Sequence, residues 1–158
     1  KGLVAARAEG RIALYTGNDD HIVLDLLVPL AVQRGGEEIQ VRIKGGLLGH
    51  WSVWTKSAVD LLEKIKNLKA IDSEILALDS RVTDVNSAFF DVAHDFAGCI
   101  AGCHEVLRRQ GLFEGILCLD PKEGLSPGQA GEIDRVCAAY PEMNDDAFVR
   151  NNLSRWLA

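Results

Sequence analysis

The sequence predicts an α/β chain that is mostly helix by content. Three observations lead there. A short apolar run at 12–16 ends on a polar glycine turn and is followed by an apolar helical segment. A second apolar run at 47–53 is followed by an amphipathic stretch to 69. From 72 onward only helical periodicity remains.

In chain order, Ile12 to Thr16 reads as a strand that exits at Gly17 into the turn Gly17-Asn18-Asp19-Asp20. Helix follows over 22–28, limited by Pro29. Between the doublets Gly35-Gly36 and Gly45-Gly46, Ile39, Val41 and Ile43 alternate with polar neighbours, which reads as an edge strand or an extended arm. The second buried strand is placed at 47–53, rich in large side chains. Ala58, Leu61, Leu62, Ile65 and Leu68 mark one face of a helix over 55–69. Helices are then expected at 73–84 and 86–110. Gly98 is a candidate break in the latter, and Ala97, Gly98, Ala101 and Gly102 are small enough to admit a neighbouring backbone. The run 112–119 is strand-like but weakened by Gly115. Ser126-Pro127 with Gln129 predicts a capped helix to Tyr140 that Pro141 ends, and Asn144 caps the last helix. Two strands do not make a stable sheet, so the α/β part reads as incomplete.

The chain has 158 residues, 47% hydrophobic and 25% charged, which excludes a disordered or collagen-like protein; it is also shorter than a closed β/α barrel of about 250 residues. A net charge of −6 with no basic stripe argues against nucleic acid as a partner. Arg108 and Arg109 sit where they complement a helix C-terminus. The most apolar stretch, 88–100, is interrupted by Asp91, His94 and Asp95, so no membrane span is expected. Cys99, Cys103, Cys118 and Cys137 form no C-x-x-C pair, and Cys103 and His104 point about 100° apart on a helix, so no metal site is expected. Free thiols and the lack of a signal peptide favour a cytoplasmic protein.

Tyr15-Thr16-Gly17-Asn18-Asp19-Asp20 resembles the seventh-strand turn of the dihydrodipicolinate synthase and N-acetylneuraminate lyase superfamily. The stretch from Gly46 through Leu47, Gly49, His50, Trp51 and Ser52 to Trp54 resembles its eighth strand, and the helices after about 70 look like its C-terminal appendage. The resemblance covers nearly the whole chain and fits a bacterial branch of dihydrodipicolinate synthase family proteins. It implies the last two strands of a (β/α)8 TIM barrel over 1–70 and a C-terminal helical region over 71–158. It further implies a lyase or aldolase acting on pyruvate or a related 2-keto acid through a Schiff base, assembled as a homo-oligomer, with no cofactor.

The resemblance places the Schiff-base lysine, the proton-relay tyrosine and the carboxylate-binding Thr-Thr turn on earlier strands, upstream of residue 1. Lys1 is not a Met, and the only Met is Met143, in keeping with that expectation. On this reading the 158 residues alone are inactive. Gly17, Asn18, Asp19 and Trp51 are the substrate-binding residues carried over. Trp51 stands where the family has a smaller aliphatic side chain, and 29–45 exceeds the family's connection, as a lid or an oligomer arm would.

Other residues read more simply. Lys44 follows the Gly17 turn instead of preceding it, so it is not the family lysine and is expected on an exposed loop. Tyr15 is expected as a buried core ring, and Asp19 and Asp20 as caps of the 21–28 helix or a carboxylate pair. His50 and Trp51 would face opposite sides of a strand. His94 and Asp95 read as solvent-facing or structural, and Asp84 and Asn86 as caps. The alternatives are a non-catalytic half-barrel joined through open strand edges, and an all-helical interaction module.

Overall fold

A computed structural model describes residues 1–47 and 49–158, with His50 described by its backbone alone. Among the described residues the chain is α/β, dominated by helix, with two small sheets and no closed barrel. The presence of paired strands departs from the all-helical alternative.

A short helix α1 (Gly2–Ala5) precedes strand β1 (Leu14–Thr16). Helix α2 (Ile22–Leu27) buries Ile22, Val23, Leu26 and Leu27 and stops at Val28, whose extended backbone is what a residue before proline adopts. Strands β2 (Leu30–Arg34) and β3 (Glu37–Val41) form an antiparallel hairpin in register from Leu30↔Val41 to Arg34↔Glu37. Gly35 and Gly36 turn the chain with φ of 57° and 89°, the left-handed geometry of a two-residue hairpin loop. The segment 29–45 is therefore a hairpin leading into the next strand.

Strand β4 (Ile43–Gly46) runs parallel to β1, with Leu14↔Ile43, Tyr15↔Gly45 and Thr16↔Gly46. The register shift leaves Lys44 as the extra residue, exposed on a strand and not on a loop. The strand expected at 47–53 is corrected: the second parallel strand ends at Gly46, and Gly49–Trp51 is a 3-10 turn. Gly49 at φ 70° and Trp54 at φ 47° cannot continue an extended ladder, whatever the apolar content between them.

Helix α3 (Thr55–Lys66) buries Ala58, Leu61 and Ile65 as the periodicity predicts. Helix α4 (Ser73–Phe89) is capped by the Asp72 carboxylate, which accepts from the Ile75 N–H at 3.0 Å, and runs five residues beyond the expected end. The single helix expected over 86–110 is corrected too. Asp91, Asp95 and Phe96 all have positive φ around a 3-10 turn at Val92–His94, and Gly98 then leads into α5 (Cys99–Arg109). No strand forms over 112–119.

Helix α6 (Gln129–Ala139) begins after Gly128. Half of the expected capping box forms, the Ser126 N–H donating to Gln129 Oε1 at 3.1 Å, while the Ser126 hydroxyl donates to Asp91 instead. Tyr140 and Pro141 end α6, and Asn144 Oδ1 accepts from the Asp146 N–H at 2.7 Å at the start of α7 (Asp146–Trp156).

One apolar core joins α2, α3, α4, α5 and α6, centred on α4, where Phe89 meets Trp54 edge-on at 5.0 Å. The 70/71 division falls between α3 and α4, and the core runs straight across it. The small-residue stripe does what its composition predicts. A Cβ on Gly102 would overlap the Phe89 carbonyl oxygen, and one on Gly98 would overlap Gln129. Gln129, buried, donates toward the carbonyls of Ala88, Phe89 and Gly98 at 3.4, 3.3 and 3.0 Å, satisfying the end of α4 that no intrahelical donor reaches. No helix among the described residues is long and apolar enough to cross a membrane.

Candidate functional site

The C-terminal ends of β1 and β4 lie side by side, with the Leu47 N–H donating to the Thr16 carbonyl at 3.1 Å just beyond the ladder. The turn after β1 is built from its own residues first. Thr16, buried, donates its hydroxyl to Asp25 Oδ2 of α2 at 2.5 Å and accepts the Asn18 N–H at 3.0 Å; Asn18 Oδ1 then accepts the Asp20 N–H at 3.2 Å. This Asx turn sends the chain directly into α2.

Gly17 and Asn18 are exposed on that turn, and Asp19 is half-buried. Oxygen Oδ1 of Asp19 is sealed from solvent with no hydrogen-bond partner among the described residues. Burial, helped by the neighbouring Asp20 charge, pushes its carboxyl up to about 6. The Asp19 charge also reaches the thiols of α5. Burial first, then Asp19 and Asp91, raise Cys99; burial, then Cys99 and Asp19, push Cys103 up to about 12. Thiols raised in this way are protonated and poor nucleophiles.

Neither Asp19 nor Asp20 caps α2. The cap comes from Asp79 in the middle of α4: Oδ1 accepts the Leu24 N–H at 3.2 Å and Oδ2 faces His21 Nδ1 at 3.0 Å, holding the exposed His21 imidazole above its ordinary pKa. Thr83 donates to the Asp20 carbonyl, and Asn86 Nδ2 donates to the Asp19 carbonyl at 3.1 Å.

Trp51 lies in the 3-10 turn and not on a strand, half-buried against the core. Its indole is where a Cβ on Gly46 would fall, together with Ile22 of α2, so it packs on the helix-bearing side of the β1–β4 pair. That corrects the strand-eight placement expected for it, although it stays at the same end of the strands as Gly17, Asn18 and Asp19. The His50 side chain lies outside the described residues. Tyr15 is corrected from a buried core ring: it is 55% exposed, its ring lying over Gly45, where a Cβ would come within 2.7 Å.

The remaining polar residues serve packing. Asp84 takes both Arg135 guanidinium nitrogens at 2.8 and 2.9 Å and the Tyr140 hydroxyl at 2.7 Å, tying α4 to α6. His94 Nδ1 sits 2.6 Å from Asp91. Arg108 and Arg109 both reach back to buried Glu105, whose carboxyl they hold down to about 2 against the opposing effect of burial.

The sequence reading missed Thr16, Asp25, Asp79 and Thr83, and it assigned Asn86 to capping. Asp79, Thr83 and Asn86 recur at helical spacing, a polar stripe beside the buried face of Ile75, Val82 and Val85, and that pattern was the available signal.

An ionised carboxylate in this position costs stability, and the sign is definite. The folded pKa of Asp19 lies above its ordinary 3.8, so stability falls as pH rises from about 4 through 6 and the penalty is complete above that. Asp19→Asn is expected to stabilise the chain by about 1 kcal/mol at pH 7.5, after allowance for solvent screening, with the gain gone at pH 4. Urea melts at the two pH values check this. Comparison of the chain with protein-family models, with curated proteins and with solved structures found no match.

Proposed function

We propose that this chain supplies the last two β/α units and the helical C-terminal region of a Schiff-base lyase or aldolase for pyruvate or a related 2-keto acid, of the dihydrodipicolinate synthase and N-acetylneuraminate lyase type. The observation that carries the reading is the β1–β4 pair. Two strands consecutive in this sheet lie parallel and adjacent, and the polar turn Gly17-Asn18-Asp19 stands at their C-terminal ends, where β/α barrels build their sites. A pair of parallel strands buries too little to stand alone, and flanking strands of a larger barrel would complete it.

In that chemistry a lysine amine adds to the keto carbon and water leaves. The protonated imine then takes up the electron pair of a breaking C–C bond, or of an α C–H bond as a base removes the proton. In the second case the enamine so formed supplies the pair for the new C–C bond. The lysine belongs to strands outside these residues. The contribution of this chain is the mouth of the pocket. Gly17 lets substrate approach the backbone, Asn18 offers an amide at the rim, and Asp19 places a half-buried carboxyl beside it. Trp51, on the helix-bearing side, backs Gly46 at the same end of the strands. The four free thiols fit a reducing cytoplasm.

Pyruvate and borohydride test the reading. The 158-residue chain is expected to gain no reduced-imine mass. A chain extended with the preceding strands is expected to gain one, on a lysine outside 1–158. An adduct on Lys44, or none on the extended chain, overturns it.

The open edges of β1 and β4 favour a second reading, a non-catalytic half-barrel that associates with another half or with its own copy. Sedimentation as a 17.2 kDa monomer would remove it.

A further inference from the structure

We propose that helix α4 is the positioning element of the site: its polar stripe Asp79, Thr83 and Asn86 fixes the backbone of the β1 exit turn, with Thr83 and Asn86 as positioning residues for the rim groups Asn18 and Asp19. The inference rests on the functional reading above for what the turn binds, but not for how the turn is held.

The geometry is residue by residue. Stripe positions four and three apart follow one helix face. Along that face Asn86 donates to the Asp19 carbonyl, Thr83 to the Asp20 carbonyl, and Asp79 takes His21 and the Leu24 N–H. Three consecutive residues, Asp19, Asp20 and His21, and Leu24 in the first turn of α2 are thus held from one helix. The side chains of Asn18 and Asp19 take no part in these contacts: Asn18 Oδ1 accepts the Asp20 N–H within the turn, and Asp19 Oδ1 has no hydrogen-bond partner among the described residues.

Asn86 also reaches the second strand exit. A Cβ on Gly49 would lie 2.7 Å from Asn86 Oδ1, so this glycine is what allows the buried amide between the two turns. Gly49 has φ 70°, which independently favours glycine. One side chain therefore sets the spacing between the turn after β1 and the turn after β4. A scaffold helix needs apolar contact alone, and α4 already has that through Val82, Val85 and Phe89. Its polar stripe adds bonds to the turn, Thr83 Oγ1 lying also 3.0 Å from the Asp79 carbonyl of its own helix.

Amide exchange followed by mass spectrometry on the 158-residue chain tests how the turn is held. Thr83→Val keeps the side-chain volume and removes the donor, and is expected to speed exchange over 18–24 about tenfold with the β2–β3 hairpin and α6 unchanged. Thr83→Ser is expected to restore it, and Asn86→Ala to speed it further. Unchanged exchange in a folded Thr83→Val chain overturns the proposal. If Asn86→Ala fails to fold, the Val and Ser pair still decides.

The extended chain tests the consequence for substrate. Thr83→Val is expected to raise KM for pyruvate several-fold while the imine trapped at saturating pyruvate stays the same, and Thr83→Ser to recover KM. Faster exchange with KM unchanged reduces α4 to a scaffold and overturns the positioning role. Failure of the lyase reading shows separately, as absence of trapped imine in the unaltered extended chain, and leaves the exchange result to judge the clamp.

Discussion

Gly102→Ala is expected to lower stability by about 3 kcal/mol, while the same substitution at Gly131 raises it by about 0.5–1 kcal/mol. Both glycines lie inside helices, so propensity favours Ala equally at each. The difference is what the added methyl meets. At Gly102 it overlaps the Phe89 carbonyl oxygen, a backbone atom at the end of α4 that cannot swing aside, and presses on the Gln129 amide behind it. Relief requires α5 to move away from α4, opening the contact that Gln129 seals. At Gly131 nothing lies within 4 Å, the residue is exposed, and the gain comes from restricting the unfolded chain. Parallel urea melts of the two variants check the opposite signs; a loss below 1 kcal/mol at Gly102 would mean that α5 shifts freely.

Asp91→Ala is expected to cost about 3 kcal/mol. The Asp91 carboxylate, 4% exposed, accepts the Ser126 hydroxyl, the Gly98 N–H at 2.9 Å and His94 Nδ1 at 2.6 Å, and so joins the end of α4 to the starts of α5 and α6. Removing it leaves a buried N–H and a hydroxyl without an acceptor. It also puts Ala at φ 59°, a conformation that Asp and Asn tolerate better. Asp91→Asn is therefore expected to recover about half of the loss. Burial by itself raises this carboxyl, but the bonds from Ser126, His94 and Gly98 outweigh it and hold the pKa below the ordinary 3.8. The contribution is thus present above about pH 4 and lost as pH falls through the depressed value. Acid titration followed by circular dichroism should show a step in the unaltered chain that both variants lack.

What was legible in the sequence was local. The strand at β1, the face of α3, the break near Gly98 and the close approach at Gly102 follow from apolar spacing, turn residues and side-chain size, which act over a few neighbours. The hairpin was half legible: Gly35-Gly36 between two extended runs is a turn signal, but Pro29 draws attention to the end of α2 and hides β2 behind it. The strand at 47–53 failed for a different reason. Leu47, Trp51, Val53 and Trp54 have the apolar character of a buried strand, yet Val53 and Trp54 are buried in a helix-lined core by way of left-handed backbone that apolar content does not report. In the site, Gly17, Asn18 and Asp19 were legible as a polar strand exit. Their clamp was not, because Asp79, Thr83 and Asn86 are ordinary helix residues until the tertiary fold brings them to the turn.

The distance along the chain between the turn and its clamp has a consequence for the order of folding. Bonds that fix residues 19 to 24 come from partners 55 to 67 positions later. During synthesis from the N-terminus the strand exit stays without its contacts to α4 until that helix has left the ribosome, long after β1 and α2 have emerged. Local bonds within the turn form early, but the contacts from α4 wait until a loop of that length has closed. The turn after β1 is therefore among the last parts of this region to take its final form, and a protease cut in the α3–α4 connection would disorder it while leaving the turn itself uncut.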